Sequence, residues 1–371
     1  MAKGIYIGID SKARKVKKAY VGVDSKARKV KKGYIGVGGV ARQFFSAEKR
    51  LVYYGKVTDL SVGRYSLAAT TIGNYALFAG GRTSAIAATV DTYNSSLVKG
   101  TATNLSAARY SLAATSVGNY ALFAGGYGDN STYAKTVDTY NSSLVKGTAT
   151  NLSEARDSLV ATTVGNYALF GGGYNGNTIA TVDTYNSSLT KGTATNLSAA
   201  RYNFAATTVG NYALFAGGRS SAIVATVDTY NNSLVKGTAT DLSIARNGLA
   251  ATTVGNYALF AGGYGGSYRT TVDTYNSSLV KGTATGLSVG RSSLTATTVG
   301  NYALFGGGNP QNTYSSVVDA YDISLVKITV EELVQAVDSL AATSVGEYAL
   351  FGGGRYASTR HAYVTAYQLV D

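Results

Sequence analysis

The chain has 371 residues, with no cysteine or tryptophan, one proline, one histidine, 45 glycines, 30 tyrosines and a formal charge of +13. The absence of cysteine removes disulfides, thiolate metal sites and a cysteine nucleophile, and a single histidine excludes the His/Cys metal centres of oxidases and hydrolases. Glycine, tyrosine, threonine, alanine and valine favour strands and tight turns. No apolar run is long enough for a signal-peptide core or a membrane span, so the expectation is an all-β protein made in a cytoplasm, without membrane insertion.

The charge is uneven. Residues 1–50 carry 14 Lys/Arg against 3 Asp/Glu, a net of +11, whereas residues 51–371 carry 19 against 17. A near-neutral module fused to a cationic arm with its own partner is the arrangement this implies. The arm repeats "KGIYIGIDSKARKV", "KAYVGVDSKARKV" and "KGYIGVGGVAR", with Tyr6, Tyr20 and Tyr34 spaced 14 apart. Apolar residues alternate with glycine, a turn follows, and "ARKVKK" alternates again, which predicts consecutive short strands. Single hairpins are marginal alone, so the arm is expected to pack in an oligomer or on a neighbouring protein. Lys and Arg interspersed with Tyr make nucleic acid the alternative partner, but the regular strand pattern favours a folded connector.

From residue 51 onward a longer unit recurs seven times, with double glycines ending at Gly81, Gly126, Gly173, Gly218, Gly263, Gly308 and Gly354. The second copy divides into four predicted strands: a, Leu112–Val117; b, Tyr120–Gly125; c, Lys135–Tyr140; d, Leu144–Thr150. Turn signals lie at Gly118-Asn119 and Asn141-Ser142-Ser143. Four antiparallel strands make one propeller blade. The last copy stops after strand c, and "VYYGKVTDLSVGR" at 52–64 aligns with "LVKGTATNLSAAR", so an N-terminal strand is expected to fill the gap. Such an exchange would leave no unpaired sheet edge at the seam.

A double glycine ending strand b, a Tyr after a variable stretch (Tyr93, Tyr140, Tyr185, Tyr230, Tyr275, Tyr321 and Tyr367) and an Arg opening strand a form the pattern of kelch repeats. Residues 51–371 resemble that family. The resemblance implies a seven-bladed kelch-like β-propeller, preceded by the basic arm of residues 1–50. Where the family has Trp early in strand d, this chain has Leu97, Leu144, Leu189, Leu234, Leu279 and Leu325.

Between copies, the distance from the repeated Tyr to the next double glycine is fixed at 33 residues; that from double glycine to Tyr varies from 12 to 14. All length variation therefore falls in the b–c loop, and the sequence varies there too. A milder variable site surrounds the strand-a arginine, as in "VGRYS", "EARDS", "AARYN", "IARNG" and "VGRSS". In a meander the b–c and d–a connections share one face, which is where contacts are expected. The opposite face is the monotonous "TVGNY" and "DTYNSSL".

Two groups are candidate ligand-binding residues. Arg64, Arg109, Arg156, Arg201, Arg246 and Arg291 occupy equivalent places in six copies, with Val337 in the seventh. They would form a guanidinium ring that attracts carboxylate or phosphate, or else pair with the equally repeated Asp91, Asp138, Asp183, Asp228, Asp273 and Asp319. The second group is not imposed by the repeat: Tyr127, Tyr133, Tyr174, Tyr264, Tyr268, Tyr314, Tyr356, Arg82, Arg219, Arg269 and Arg355. Exposed Tyr and Arg suit interface hot spots and sugar rings. His361 reads as a surface residue, and Asp129, Glu154 and Asp157 are scattered among copies, so no catalytic residue, metal site or cofactor is expected.

The "KKGYIGVGGVAR" segments also resemble tandem segments of predicted structural or tail proteins of tailed bacteriophages and prophages. That likeness covers residues 3–45. It implies a virion component assembled in the bacterial cytoplasm, whose arm anchors to other virion proteins and whose propeller is displayed toward a host surface glycan or protein. An intracellular kelch-type module that docks acidic peptides on the arginine face is the alternative.

Overall fold

A computed structural model describes residues 49–371 except Asn312, with Asn130 as backbone only, together with the backbone of six strands within residues 6–46. Chain contacts divide it into two compact units, residues 1–52 with 369–371 and residues 53–368. In the first, three antiparallel hairpins pair Tyr6–Ile9 with Lys12–Lys15, Tyr20–Val23 with Lys26–Lys29, and Lys32–Val37 with Val40–Ser46.

The second unit is a seven-bladed β-propeller. In blade 1, strands a (Ala68–Ile72), b (Tyr75–Ala79), c (Val90–Asn94) and d (Lys99–Ala102) form one antiparallel sheet. Blades 2–6 repeat this order; blade 2, for example, uses Ala113–Val117, Tyr120–Ala124, Val137–Asn141 and Lys146–Ala149. Blade 7 takes its a, b and c strands from Ala341–Val345, Tyr348–Gly352 and Val364–Val370, and its d strand from Arg50–Val57. The expected closure by an N-terminal strand is therefore observed. Each strand a neighbours the strand a of the next blade, and that of blade 7 neighbours that of blade 1, so the a strands surround the axis.

Adjacent blades meet through three repeated devices. Phe78 and its equivalents are buried edge-on against the strand-c Tyr of their own blade, and the pair packs on the preceding blade, as Phe123 and Tyr140 (centroids 5.9 Å apart) do in the core shared with Leu77, Ala79 and Val90 of blade 1. Burial of each such ring contributes about 2–3 kcal/mol. All seven strand-c tyrosines also reach back to the end of the preceding d strand, as Tyr140 Oη donates to the Thr103 carbonyl at 2.7 Å and Tyr367 Oη to that of Glu331 at 2.7 Å. Third, the second glycine of each pair donates its N–H to the next blade's d–a loop: Gly81 to the Arg109 carbonyl at 2.9 Å, and Gly354 to that of Arg64 at 2.9 Å, completing the circle. Only glycine fits here. Gly80 and Gly81 have φ of +67° and +108°, and a Cβ on Gly80 would lie 2.5 Å from the Arg109 carbonyl oxygen.

Two features of the monotonous face differ from the sequence expectation. Strand d begins later than predicted, at Lys146 in blade 2, because Leu144 belongs to the c–d turn with φ +60°. Asn141 Oδ1 accepts the N–H groups of Ser143 and Val145, which holds that turn, and Leu144 packs against the core between blades 1 and 2. The turn is also closely approached: a Cβ on Gly118, in the a–b turn of blade 2, would lie 2.9 Å from Ser187 of blade 3's c–d turn. Blade-to-blade contact thus fixes this face.

Around the axis on the opposite face, the first residues of the blades are joined by a chain of six backbone hydrogen bonds. Ser111 donates to Ser66, Ser66 to Ser339, Ser339 to Ser293, Ser293 to Gly248, Gly248 to Asn203, and Ser158 to Ser111, at 2.8–3.1 Å. Inside the channel, hydroxyls of the a strands link neighbouring blades, as in Thr115–Thr163 and Thr207–Thr253, both 2.8 Å. No helix among the described residues is long and apolar enough to cross a membrane.

Candidate ligand-binding face

The repeated arginines are not a ring at the channel mouth. All six have no exposed surface, and each places Nη2 2.7–2.8 Å from a carboxylate oxygen of the Asp of its own blade's strand c. Arg109 Nη2 also donates to the Phe123 carbonyl at 3.1 Å. The Lys that opens strand d reaches the other carboxylate oxygen, Lys146 Nζ to Asp138 Oδ1 at 3.1 Å, and the Ser106 hydroxyl and N–H complete the shell. Burial works to raise the Asp138 carboxyl, but Ser106 and Arg109 together hold it below the ordinary carboxylate range. Asp91, Asp183, Asp273 and Asp319 are held down in the same way. Arg64, Arg109, Arg156, Arg201, Arg246 and Arg291 are therefore corrected from ligand groups to buried counterions that tie each d–a loop to its blade.

His361 also departs from expectation. It is half-buried, its ring lies 5.3 Å from that of Tyr363, and its Nε2 is covered without a protein partner. It borders a small cavity with Val337, Phe351 and Thr365, where blade 7 lacks the Arg–Asp pair, and burial pushes its imidazole down.

The non-repeated residues do share the varied face. In each blade the residue after the double glycine pairs through the backbone with the residue after the strand-a arginine position: Tyr65 with Arg82, Tyr110 with Tyr127, Asp157 with Tyr174, Tyr202 with Arg219, Asn247 with Tyr264, Ser292 with Asn309, and Asp338 with Arg355. This short pairing places two non-repeated residues per blade on the face, all at least partly exposed except the buried Asp338. Sequence reasoning named the b–c half and missed Tyr65, Tyr110 and Tyr202, although the variation around the arginine was the signal that could have found them.

Side chains then reach across blades. The Arg355 guanidinium lies 4.8 Å from the Tyr65 ring and that of Arg82 lies 5.4 Å from Tyr110. From there a continuous chain of rings runs over blades 2–4: Tyr110–Tyr127 at 5.6 Å, Tyr127–Tyr133 at 5.0 Å, Tyr133–Tyr174 at 6.2 Å and Tyr174–Tyr202 at 5.3 Å. Contact between rings preorganises them at little entropic cost. On the far side, Tyr264 and Tyr268 (5.2 Å apart) border a depression with Gly290 and Pro310, Arg269 Nη2 is tied to the Gly265 carbonyl, and Tyr314 lies 4.9 Å from Tyr356. Arg219 is exposed.

Two carboxylates occupy this face at equivalent positions with opposite surroundings. Asp338 Oδ1 accepts from Arg355 Nε at 2.9 Å. Asp157 faces Tyr174 instead, and its Oδ1 is covered with no hydrogen-bond partner. Burial pushes its carboxyl up to about 6, and burial, with a smaller contribution from the Asp157 charge, raises the phenols of Tyr110 and Tyr133. No group of three or more His, Cys, Asp or Glu that could hold a metal exists among the described residues.

No family model and no curated protein matches the chain. Its backbone is similar to the solved structure of YjhT, at 12% identity and a TM-score of 0.56, over 84% of this chain and 96% of that one. At that identity the likeness concerns the fold: both are built on the same propeller architecture.

Proposed function

We propose that this chain is a non-catalytic binding protein whose propeller recognises a cell-surface glycan, or a protein bearing one, through the b–c and d–a face, while residues 1–50 anchor it to a larger assembly. The observation that carries the reading is the tyrosine chain over blades 2–4. Five partly exposed rings in mutual contact are not required by the repeat, since equivalent positions elsewhere also hold Arg82, Asn247, Ser292, Asn309, Asp338 and Arg355. Rigid amphipathic rings suit sugar faces and interface hot spots. The resemblance of the arm to tailed-phage structural segments supports a virion setting, with the arm docking to other virion proteins. The alternative, capture of acidic peptides by the arginine ring, loses its groups to the buried ion pairs.

The test is binding of the full chain to bacterial cells and to a glycan array. Binding that is lost in Tyr127→Ala and Tyr174→Ala supports the reading. Absence of cell and glycan binding, with docking to virion proteins retained, would overturn it in favour of an assembly role.

A further inference from the structure

Two of the cross-blade contacts on the varied face place a guanidinium on a tyrosine ring, Arg355 on Tyr65 and Arg82 on Tyr110. The acid at the equivalent position of blade 7 is matched by Arg355. Blade 3 breaks this pattern. Asp157 lies opposite Tyr174, the preceding b–c loop supplies Tyr127 and Tyr133, and no cation is paired with Asp157 among the described residues. Asp157 is half-buried, its carboxyl has a hydrogen bond with Ser158 but its Oδ1 is covered without a partner, and a covered oxygen of a carboxylate with no counterion calls for an explanation. Aromatic rings around a single acid are the environment that holds an ammonium group: the carboxylate supplies the charge, and the ring faces replace water around the methyl or methylene groups.

Building on the binding-face reading, we infer that Asp157 with Tyr127, Tyr133 and Tyr174 forms a subsite for an organic ammonium group, a protonated amine or a quaternary ammonium, carried on the surface polymer that the propeller recognises. An ammonium would supply the missing counterion to Asp157 and take over, at blade 3, the place that arginine takes at blades 1 and 7. A phosphate or carboxylate would be repelled from the same spot.

The experiment is titration of the full chain with choline and with glucosamine, each against its neutral counterpart: the tert-butyl isostere of choline, and N-acetylglucosamine. The inference predicts saturable binding of the two cations and about tenfold weaker binding of the neutral pair. The preference should vanish in Asp157→Asn and persist in Asp338→Asn. Equal binding of charged and neutral probes, lost in Tyr174→Ala, would overturn the ammonium assignment and leave the tyrosine face standing. Binding of none of the four probes would also overturn it, with the cell and glycan-array result deciding the face separately. Folding of each variant is checked by its thermal transition, and Asp157→Asn removes an unfavourable buried charge, so misfolding does not mimic the predicted loss.

Discussion

Arg109 Nη2 lies 2.7 Å from Asp138 Oδ2, and neither side chain has any exposed surface. The same pair recurs in blades 1–6 and is lost as a unit in blade 7, where Val337 replaces the arginine, Thr365 the aspartate, Val334 the serine and Tyr54 the strand-d lysine. Removing Arg109 leaves the buried Asp138 with only Lys146 and Ser106 to compensate it, and removing Asp138 leaves the Arg109 guanidinium without a counterion, whereas replacing the whole group with apolar and neutral residues is often close to neutral. Arg109→Val alone is expected to destabilise by about 3–5 kcal/mol, and Arg109→Val with Asp138→Thr by much less than the sum of the two single changes. A double-mutant cycle in urea measures the difference. Additive effects would mean that the pair is not energetically coupled.

The carboxyls fix the acid limb of stability. Asp91, Asp138, Asp183, Asp273 and Asp319 are held below their ordinary value in the folded chain. Their contribution is thus fully present above an unfolded value of about 3.9 and is lost as pH falls through the depressed folded values. Asp157, pushed up to about 6, has the opposite sign: its favourable contribution is complete below about 3.9 and disappears as pH rises through 6. Asp157→Asn should therefore raise stability at pH 7 by about 1 kcal/mol after allowance for partial exposure, and leave it unchanged near pH 3.5. Denaturation midpoints at the two pH values test this.

The double glycines give a steric prediction with an internal control. A Cβ on Gly125 would lie 2.7 Å from the Arg156 carbonyl oxygen at φ +67°, whereas Gly176, at φ +101°, has nothing within 4 Å. Gly176→Ala should cost about 1–2 kcal/mol of backbone strain, and Gly125→Ala clearly more, because the approach of blade 3 must also yield. Thermal unfolding of the two variants ranks them, and equal costs would contradict the interblade role of the glycine.

Closure by Arg50–Val57 predicts asymmetric truncations. Removal of residues 1–45 should leave a cooperative, monodisperse propeller, while removal of residues 1–57 exposes the backbone edge of Val364–Val370 and should cause association through it. Light scattering after size exclusion distinguishes the two.

Much of the architecture was legible because duplication preserved it. The fixed 33-residue frame, the missing last strand and its match at residues 52–64 give the blade count and the closure. Less legible was the direction of side chains. The arginine and aspartate repeats recur together, and pairing between them was one of two readings; burial decides between these, since a surface ring and an internal ion pair have the same spacing. Leu144 looked like the start of a strand because leucine rarely adopts positive φ, and only its contact with the neighbouring core explains why it does so here. The tyrosine chain was half visible. Tyr127, Tyr133 and Tyr174 stand out in the loops, but Tyr110 joins them through the pairing of the d–a and b–c loops within blade 2, and Tyr202 through a cross-blade contact that no single repeat contains.

The claim that recognition belongs to the varied face is tested most directly by covalent footprinting of the full chain with and without the cells or array glycans that bind it. Protection is predicted at Tyr110, Tyr127, Tyr133, Tyr174 and Tyr202, with no change in the "TVGNY" and "DTYNSSL" turns. Protection of those turns, with the five tyrosines unaltered, would contradict it.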